Sequence, residues 1–420
     1  MNIRLFLVTT ATAALLTVTG MAAAEDEVVI GLNYPETGPY QVQGLAQNRA
    51  ADMAVEEINS EGGILGKKIR LVKMDTASQA DKSATNVAEL IDEHGAKMVF
   101  GGSSSAVAIS GGKAAKERDT LYFGTLTYSN ATTGTEGHTH MFRESNNAWM
   151  AAKVLSAYLK ENFSGKSYYY VTADYTWGWS TEESIRRFSD TTDQEKHKGV
   201  KTPFPGATAR DFNRALTLAK SSKPDVLVLV LFGNDMAVAL NEATRMGLKR
   251  SMEVVVPNLT LGMAESAGPK VMEGVVGSLP WSWNLPYEKN YPRGKKFVED
   301  FAERYKGYPS TSGASAYTIL YEYKAAVERA ESFETADLIK TLEGHEYTLL
   351  KDAQTWRAFD HQSVQSVYAV KGKPQAEVLA DKFNQDYFEI IASMPGEEAA
   401  RTKEEWVEAR KKAGKPATLQ

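Results

Sequence analysis

Lys97–Ser105, KMVFGGSSS, contains the change of pattern that decides the fold. Lys97–Phe100 is a short run typical of a buried strand, and the glycines and serines after it open a helical segment, Ser104–Arg118. A strand that turns at glycines into a helix is the repeating unit of a parallel α/β sheet. The stretch therefore predicts a βα unit with a polar turn at the carboxyl end of its strand.

Similar units extend in both directions from this one. Before it, the strand-like runs Val28–Tyr34 and Ile69–Met74 alternate with helical segments at Gly44–Asn59 and Asp81–Glu93, and Leu121–Gly124 closes the first set. A second set starts after Arg143–Asn147 and contains strand-like runs at Ser167–Val171, Gly199–Phe204, Asp225–Leu231 and Glu253–Val256. We predict an α/β fold of two doubly wound lobes.

The amino terminus has the three parts of a secretory leader. Met1–Ala24 begins with Arg4, continues through the apolar run Leu5–Val18, and ends with small residues at Ala22 and Ala24. The alternative is a frayed cytoplasmic terminus. Because the chain contains no cysteine, a lipid anchor at the cleavage site is excluded, and so are disulfides and thiolate catalysis. We expect a cleavable signal peptide, export to the periplasm and no direct membrane anchor.

Composition excludes several partners. The formal net charge of −5 gives no electrostatic reason to bind nucleic acid or an anionic membrane. His138 and His140 form an isolated pair without a metal-binding motif, and no nucleotide-binding glycine motif follows a strand. We therefore expect no metal, no cofactor and no catalytic residues.

Seven short motifs occur in an order that resembles the type I periplasmic substrate-binding proteins of ABC importers, in the branched-chain amino acid (leucine/isoleucine/valine) subfamily. They are Thr37-Gly38-Pro39, Ile58-Asn59 with Gly62–Lys68, Asp75, Phe100–Ser105, Asp174–Gly178, Pro205–Phe212 and Lys223-Pro224-Asp225. The resemblance covers nearly all of the chain after the leader. It implies two lobes joined by three hinge crossings, near Arg143–Asn147, Gly277–Trp281 and Thr355–Asp360. Lobe 1 is then 25–145 plus 279–357, lobe 2 is 146–278 plus 358–395, and 396–420 is a charged helical tail, expected to be solvated.

The serines after the quoted strand have two interpretations. Backbone N–H groups at a helix start attract an anion, and the hydroxyls of Ser104 or Ser105 can add hydrogen bonds to a carboxylate. Alternatively, a serine here only caps the helix, which the local sequence favours. The resemblance implies that Ser105 binds a ligand carboxylate, with Ser103 and Ser104 contributing backbone groups.

The resemblance also assigns the other ligand contacts. Tyr128 stands where a smaller threonine is more usual, so it is either a contact or a packed aromatic. The remaining candidates are Leu126, Trp177, Phe232, Tyr40 and Gln43.

One position departs from the family pattern. Amino-acid-binding members place an acidic residue after the strand that corresponds to Glu253–Val256, where it pairs with the ligand ammonium. This chain has Pro257-Asn258, and an amide supplies no countercharge. An α-amino acid ligand is therefore in doubt, and amides, urea-like compounds and other carboxylates become candidates.

We predict that the protein delivers a small polar ligand to an inner-membrane ABC permease by closure of its cleft, as a monomer and without catalysis. Two other classes stay open at this point. One is an exported hydrolase of a small amide or ester, although no Gly-x-Ser-x-Gly elbow occurs. The other is a sensor protein that presents its ligand to a separate receptor.

Overall fold

The computed structural model describes residues 27–420, so the leader lies outside the described residues. Its strands are β1 Glu27–Tyr34, β2 Lys68–Asp75, β3 Met98–Gly101, β4 Leu121–Gly124, β5 Met141–Arg143, β6 Tyr168–Ala173, β7 Lys198–Thr202, β8 Val226–Val230, β9 Glu253–Val256, β10 Val276–Leu279, β11 Glu346–Tyr347, β12 Gln354–Trp356, β13 Ser363–Val364, β14 Val367–Gly372 and β15 Phe388–Met394. Its helices are α1 Gln41–Ser60, α2 Ala80–Asp92, α3 Ser105–Lys116, α4 Ala148–Phe163, α5 Thr176–Phe188, α6 Ala209–Ser222, α7 Gly233–Arg245, α8 Leu261–Ala267, α9 Pro269–Met272, α10 Leu285–Glu288, α11 Pro292–Tyr305, α12 Thr311–Ala330, α13 Thr335–Leu342, α14 Gln375–Ala380, α15 Gly396–Ala399 and α16 Lys403–Lys412.

The first sheet is parallel, in the order β2-β1-β3-β4-β5. Side chains alternate between its two faces, so Ile30 and Leu32 pack with the helices α1 and α12 while Val99 and Tyr122 pack with α2 and α3. Helices on both faces make the sheet a buried layer, as the alternation of strands and helices in the sequence predicts.

The second sheet has the order β15-β14-β10-β9-β8-β6-β7. Its five strands from β10 to β7 run parallel, and β14 and β15 add an antiparallel edge. All five residues of β8, VLVLV, are buried, as expected for a strand covered on both faces. A small third sheet, β11-β12-β13, lies beside the first sheet, where Trp356 packs edge-on against Phe142. The two-lobed α/β fold is confirmed.

The chain passes between the two large sheets after β5, after β10, and between β13 and β14. The third passage thus falls at Gln365-Ser366, later than the predicted Thr355–Asp360, because β13 still pairs with β12. Buried Arg143 holds the first passage: its Nε donates to Gln362 Oε1 at 2.7 Å and one terminal nitrogen donates to the Ser129 carbonyl.

The carboxy-terminal segment is not the solvated appendage that its charge pattern predicts. After β15 it crosses to the segment between β4 and β5, where Trp406, 1% exposed, donates from Nε1 to the Thr133 carbonyl at 2.9 Å. Arg410 is also buried and donates to the carbonyl of Gly137 at 3.2 Å. The tail is therefore docked against the first sheet's side of the molecule.

Candidate functional site

The strand order of the first sheet creates a crevice at its carboxyl edge. Because β1 lies between β2 and β3, the connection after β1 leaves to one side and the connection after β3 leaves to the other. Ligands of open α/β sheets bind at such a switch point. The segments that follow β1, β3 and β4 therefore form one wall of a candidate site.

Residues that follow strands of the second sheet contact this wall. The hydroxyl of Tyr40, after β1, lies 3.2 Å from the hydroxyl of Tyr175, after β6. The Phe232 ring, after β8, lies 5.4 Å from the Tyr40 ring and 5.6 Å from the Tyr128 ring, centroid to centroid. Gln43 Nε2 on α1 donates to Thr260 Oγ1 beside α8 at 3.4 Å. These contacts join the lobes across a closed cleft.

Aromatic side chains form most of the second wall. Trp177, 3% exposed, meets Phe232 at 5.9 Å in an edge-to-face arrangement, and Tyr175 stacks on Phe204 at 3.9 Å. Each such pair contributes about 0.5–1.5 kcal/mol beyond burial of its area. Sequence reasoning missed Tyr175 and Phe204. Both follow the ends of neighbouring strands, β6 and β7, so the position of ligand sites at the carboxyl ends of parallel strands could have pointed to them.

The serine turn combines the capping and binding interpretations. Ser104 caps α3, its Oγ accepting from the Val107 N–H at 3.4 Å. The hydroxyls of Ser103 and Thr76 lie 3.3 Å apart. Ser105 Oγ accepts from the Ser129 N–H at 3.2 Å, which leaves its own proton to donate. All three serines are buried. The turn thus places one hydroxyl and the start of a helix at the crevice.

Leu126 lies at the base of the same wall. Its side chain is 1% exposed, and its N–H donates to the Gly101 carbonyl at 3.4 Å. This long hydrogen bond ties the segment after β4 to the end of β3. The side chain of Leu126 is thus buried and its N–H is already bonded within the wall, so a ligand contact at this residue stays a prediction.

Several polar atoms in the cleft are buried without a hydrogen-bond partner among residues 27–420. They are the Tyr128 hydroxyl, both amide atoms of Asn258, the Ser312 hydroxyl, and Gln43 Oε1. Asn258 is only 2% exposed and Ser312 is fully buried. A buried polar atom without a partner costs about 1–3 kcal/mol, so this cluster marks a place where a ligand would be stabilised.

Tyr128, Asn258 and Ser312 lie together. Burial raises the pKa of Tyr128, and side-chain interactions of hydrogen-bond type with Ser312 and Asn258, which lie outside normal hydrogen-bond geometry, partly offset that rise. The phenol is therefore neutral and can donate or accept. Sequence reasoning missed Ser312 because it enters from the start of α12, nearly two hundred residues further along the chain and outside the motifs that were recognised.

Asp235 acts electrostatically on two aromatic residues of the cleft. It stands in the first turn of α7; burial is the main reason why the pKa values of Tyr40 and Tyr175 are raised, and the charge of Asp235 adds to the rise in both. Burial raises the pKa of Asp235 itself to about 6. No sequence motif identified this residue, because its importance depends on how the two lobes meet.

Metal-ligating groups and membrane-spanning helices also bear on function. In the part of the chain that the structure describes, His, Cys, Asp and Glu nowhere gather in a group of three that could hold a metal ion. Among the same residues, 27–420, no helix has the length and apolar character needed to span a membrane. Burial lowers the pKa of His138 to about 3, which keeps that imidazole neutral.

Comparison with known proteins gives a family match over most of the chain. The model of the periplasmic binding protein family matches residues 27–377. The Leu/Ile/Val-binding protein homolog 7 of Brucella abortus is 24% identical over 363 residues, which cover 81% of this chain and 89% of the relative. An amino acid binding protein of Pseudomonas aeruginosa is 25% identical over 335 residues, covering 79% and 86%.

A solved structure has the same architecture. The crystal structure of a periplasmic binding protein from Burkholderia mallei superposes with a TM-score of 0.81 at 24% identity. The match covers 90% of this chain and 98% of that one. The likeness establishes the two-lobed fold.

Proposed function

The chain belongs to the periplasmic binding protein family, a family of substrate-binding proteins, and we propose that it delivers a small polar ligand to an ABC importer by closing its cleft. The observation that carries this proposal is the cluster of unpartnered polar atoms at Tyr128, Asn258 and Ser312 between two lobes in contact. A ligand that supplies the missing partners would be enclosed on both sides.

Closure follows from differential binding. A ligand that contacts Tyr128 and Ser105 in lobe 1 and Phe232 and Asn258 in lobe 2 makes both sets of contacts only when the lobes meet. It therefore favours the closed state by the difference between its affinities for the two states. The surface that forms on closure is what we propose the permease recognises.

The two ends of the cleft suit different ligand groups. The start of α3 with the Ser105 hydroxyl suits a carboxylate or another acceptor. At the Asn258 end the amide offers two N–H donors and a carbonyl acceptor without charge, which suits an amide, a urea-like group or a hydroxyl. Tyr40, Gln43, Leu126 and Trp177 complete the proposed set, with Ser103 and Ser104 shaping the turn.

We also propose a periplasmic location, reached through a cleavable leader at Met1–Ala24, and a monomer without a direct membrane anchor. We propose two lobes whose expected bounds, 25–145 plus 279–357 and 146–278 plus 358–395, are changed at one place: the third boundary moves to Gln365-Ser366, because β13 pairs with β12. We propose no catalytic role for any residue.

A thermal-shift screen followed by calorimetry tests the proposal. The panel contains amino acids, their amides, urea analogues, aromatic acids and quaternary amines. We expect at least one class to raise the melting temperature saturably, with unchanged ligand recovered from the complex. Recovery of hydrolysed product would favour an exported hydrolase instead, and tight binding of leucine or valine would refute the role assigned to Asn258.

A further inference from the structure

A second cavity lies outside the cleft, at the seam between the lobes and the tail. It has a volume of about 430 Å³, and none of the ten proposed ligand contacts lines it. Its walls come from three parts of the chain: Ser129–Ala131 after β4, the helices α4 and α5, and the tail from Arg401 onward. We call it the seam cavity. Its volume is within the range of small-molecule sites.

Two donor-only side chains in this cavity have no acceptor. The Arg401 guanidinium lies 4.4 Å from the centroid of the Trp149 indole. Arg401 Nε and Trp149 Nε1 are both buried without a hydrogen-bond partner among residues 27–420. Neither side chain contains an acceptor, so the pair can be satisfied only by acceptor atoms from elsewhere. Burial lowers the pKa of Arg401, in keeping with a guanidinium that lacks a close counterion.

Three carboxylates line the cavity, and two of them have other partners. Glu405 accepts from the Thr402 N–H at 3.0 Å and lies 3.5 Å from Arg187. Glu408 pairs with Lys412 at 2.7 Å. Glu183 is exposed, and its charge acts on Arg401 from farther away than the distance of a salt bridge. Among the described residues, Arg401 therefore has no carboxylate in contact with it.

We propose that the seam cavity binds a small oxyanion, a carboxylate or a phosphate group, through the Arg401 guanidinium and the Trp149 indole N–H. An anion there accepts from both unpartnered donors, and hydrogen bonds to a charged group are the stronger kind. Two other polar side chains of the lining are already engaged: Ser180 Oγ donates to the Trp177 carbonyl at 3.2 Å, and Asn130 Nδ2 donates one of its two protons to Ser184 Oγ at 3.0 Å. Both lobes and the tail supply walls of the seam cavity. Binding of the anion therefore favours closure of the cleft, and closure of the cleft favours binding of the anion.

The test is a titration of the ¹⁵N-labelled protein with inorganic phosphate and, separately, with acetate, at constant ionic strength. The chain has seven tryptophans, so seven indole N–H signals are expected, and Trp149→Phe identifies the one from Trp149. We expect that signal to shift saturably with at least one anion. Arg401→Gln is expected to lower the affinity for the anion at least tenfold.

Arg187→Gln is the matched control. Arg187 lies over the same indole at 4.8 Å, but it is exposed and already paired with Glu405, so its loss is expected to change the affinity less than twofold. If Arg401→Gln melts early, Arg401→Lys replaces it, since lysine lacks the Nε donor and the same loss is expected. Equal weakening by the Arg401 and Arg187 variants overturns the site, as does a Trp149 signal that neither anion moves. No cleft ligand is needed, so this result is independent of the proposed function.

Discussion

Asn258 gives the sharpest prediction, because replacing an asparagine that holds the fold together and replacing one that is kept for a ligand should change stability in opposite directions. Both of its amide atoms are buried without partners, and the side chain is 2% exposed. A structural asparagine would be hydrogen-bonded, whereas an asparagine kept for a ligand costs the unliganded fold about 1–3 kcal/mol. Asn258→Leu, which keeps the volume and removes the polar atoms, is therefore expected to leave the free protein at least as stable as wild type.

Asn86→Leu is the matched control for this measurement. Asn86 is also buried, but its Nδ2 donates to Asn33 Oδ1 at 3.1 Å and to the Asp75 carbonyl at 3.0 Å. Its loss leaves both acceptors unpartnered and is expected to destabilise the protein by about 1–3 kcal/mol.

Differential scanning calorimetry gives the stabilities, and the ligand-induced rise in melting temperature gives the binding. We expect Asn258→Leu to melt at the wild-type temperature or up to a few degrees above it, since 1 kcal/mol shifts the melting temperature of units of this size by about 2–4 °C. We also expect that ligand no longer raises the melting temperature of this variant. A variant that melts as early as Asn86→Leu and still binds ligand would refute the reasoning.

Three other predictions follow from the same contacts. Ser105→Ala should weaken a carboxylate ligand by about 1.5–3 kcal/mol in calorimetry, whereas unchanged affinity would remove Ser105 from the site. Burial in the folded state raises the pKa of Asp235 to about 6, so the folded state holds a proton that the unfolded state loses, and stability should fall as the pH rises from about 4 to 6. In Asp235→Asn the melting temperature should vary less over that pH range. An unchanged dependence of the melting temperature on pH would contradict the assignment. Trp406→Ala should destabilise the docked tail by about 3–5 kcal/mol and make residues 396–420 sensitive to limited proteolysis. If the variant resists the protease as well as the wild type does, the tail is held by other contacts.

Much of the fold could be predicted from the sequence because burial imposes a recognisable pattern of apolar residues on each strand and helix. Strands such as β8, buried on both faces, read as continuous apolar runs, and the helices between them read as amphipathic segments. The family resemblance then pointed to Ser105, Tyr128 and Phe232 as ligand contacts, and all three follow strand ends, which parallel strands deliver to one edge of the sheet. These features are local, so a single sequence contains them.

The rest depends on tertiary contacts that no local pattern encodes. Ser312 reaches the cleft from the start of α12, and Asp235 matters only because the lobes meet beside it. The tail is rich in charge, yet Trp406 and Arg410 bury themselves against carbonyl groups of the segment after β4. Composition indicates a solvated helix in such a case, and only the docking partner shows otherwise.

Ligand-driven closure is tested most directly by measuring a distance between the lobes. The chain has no cysteine, so Asp81→Cys on α2 and Asn234→Cys on α7, both exposed, accept one spin label each. Electron–electron resonance then gives the distance distribution with and without the ligand found in the screen. We predict that added ligand shortens the distances and narrows their distribution to that of the closed structure. Identical distributions with and without saturating ligand would contradict it.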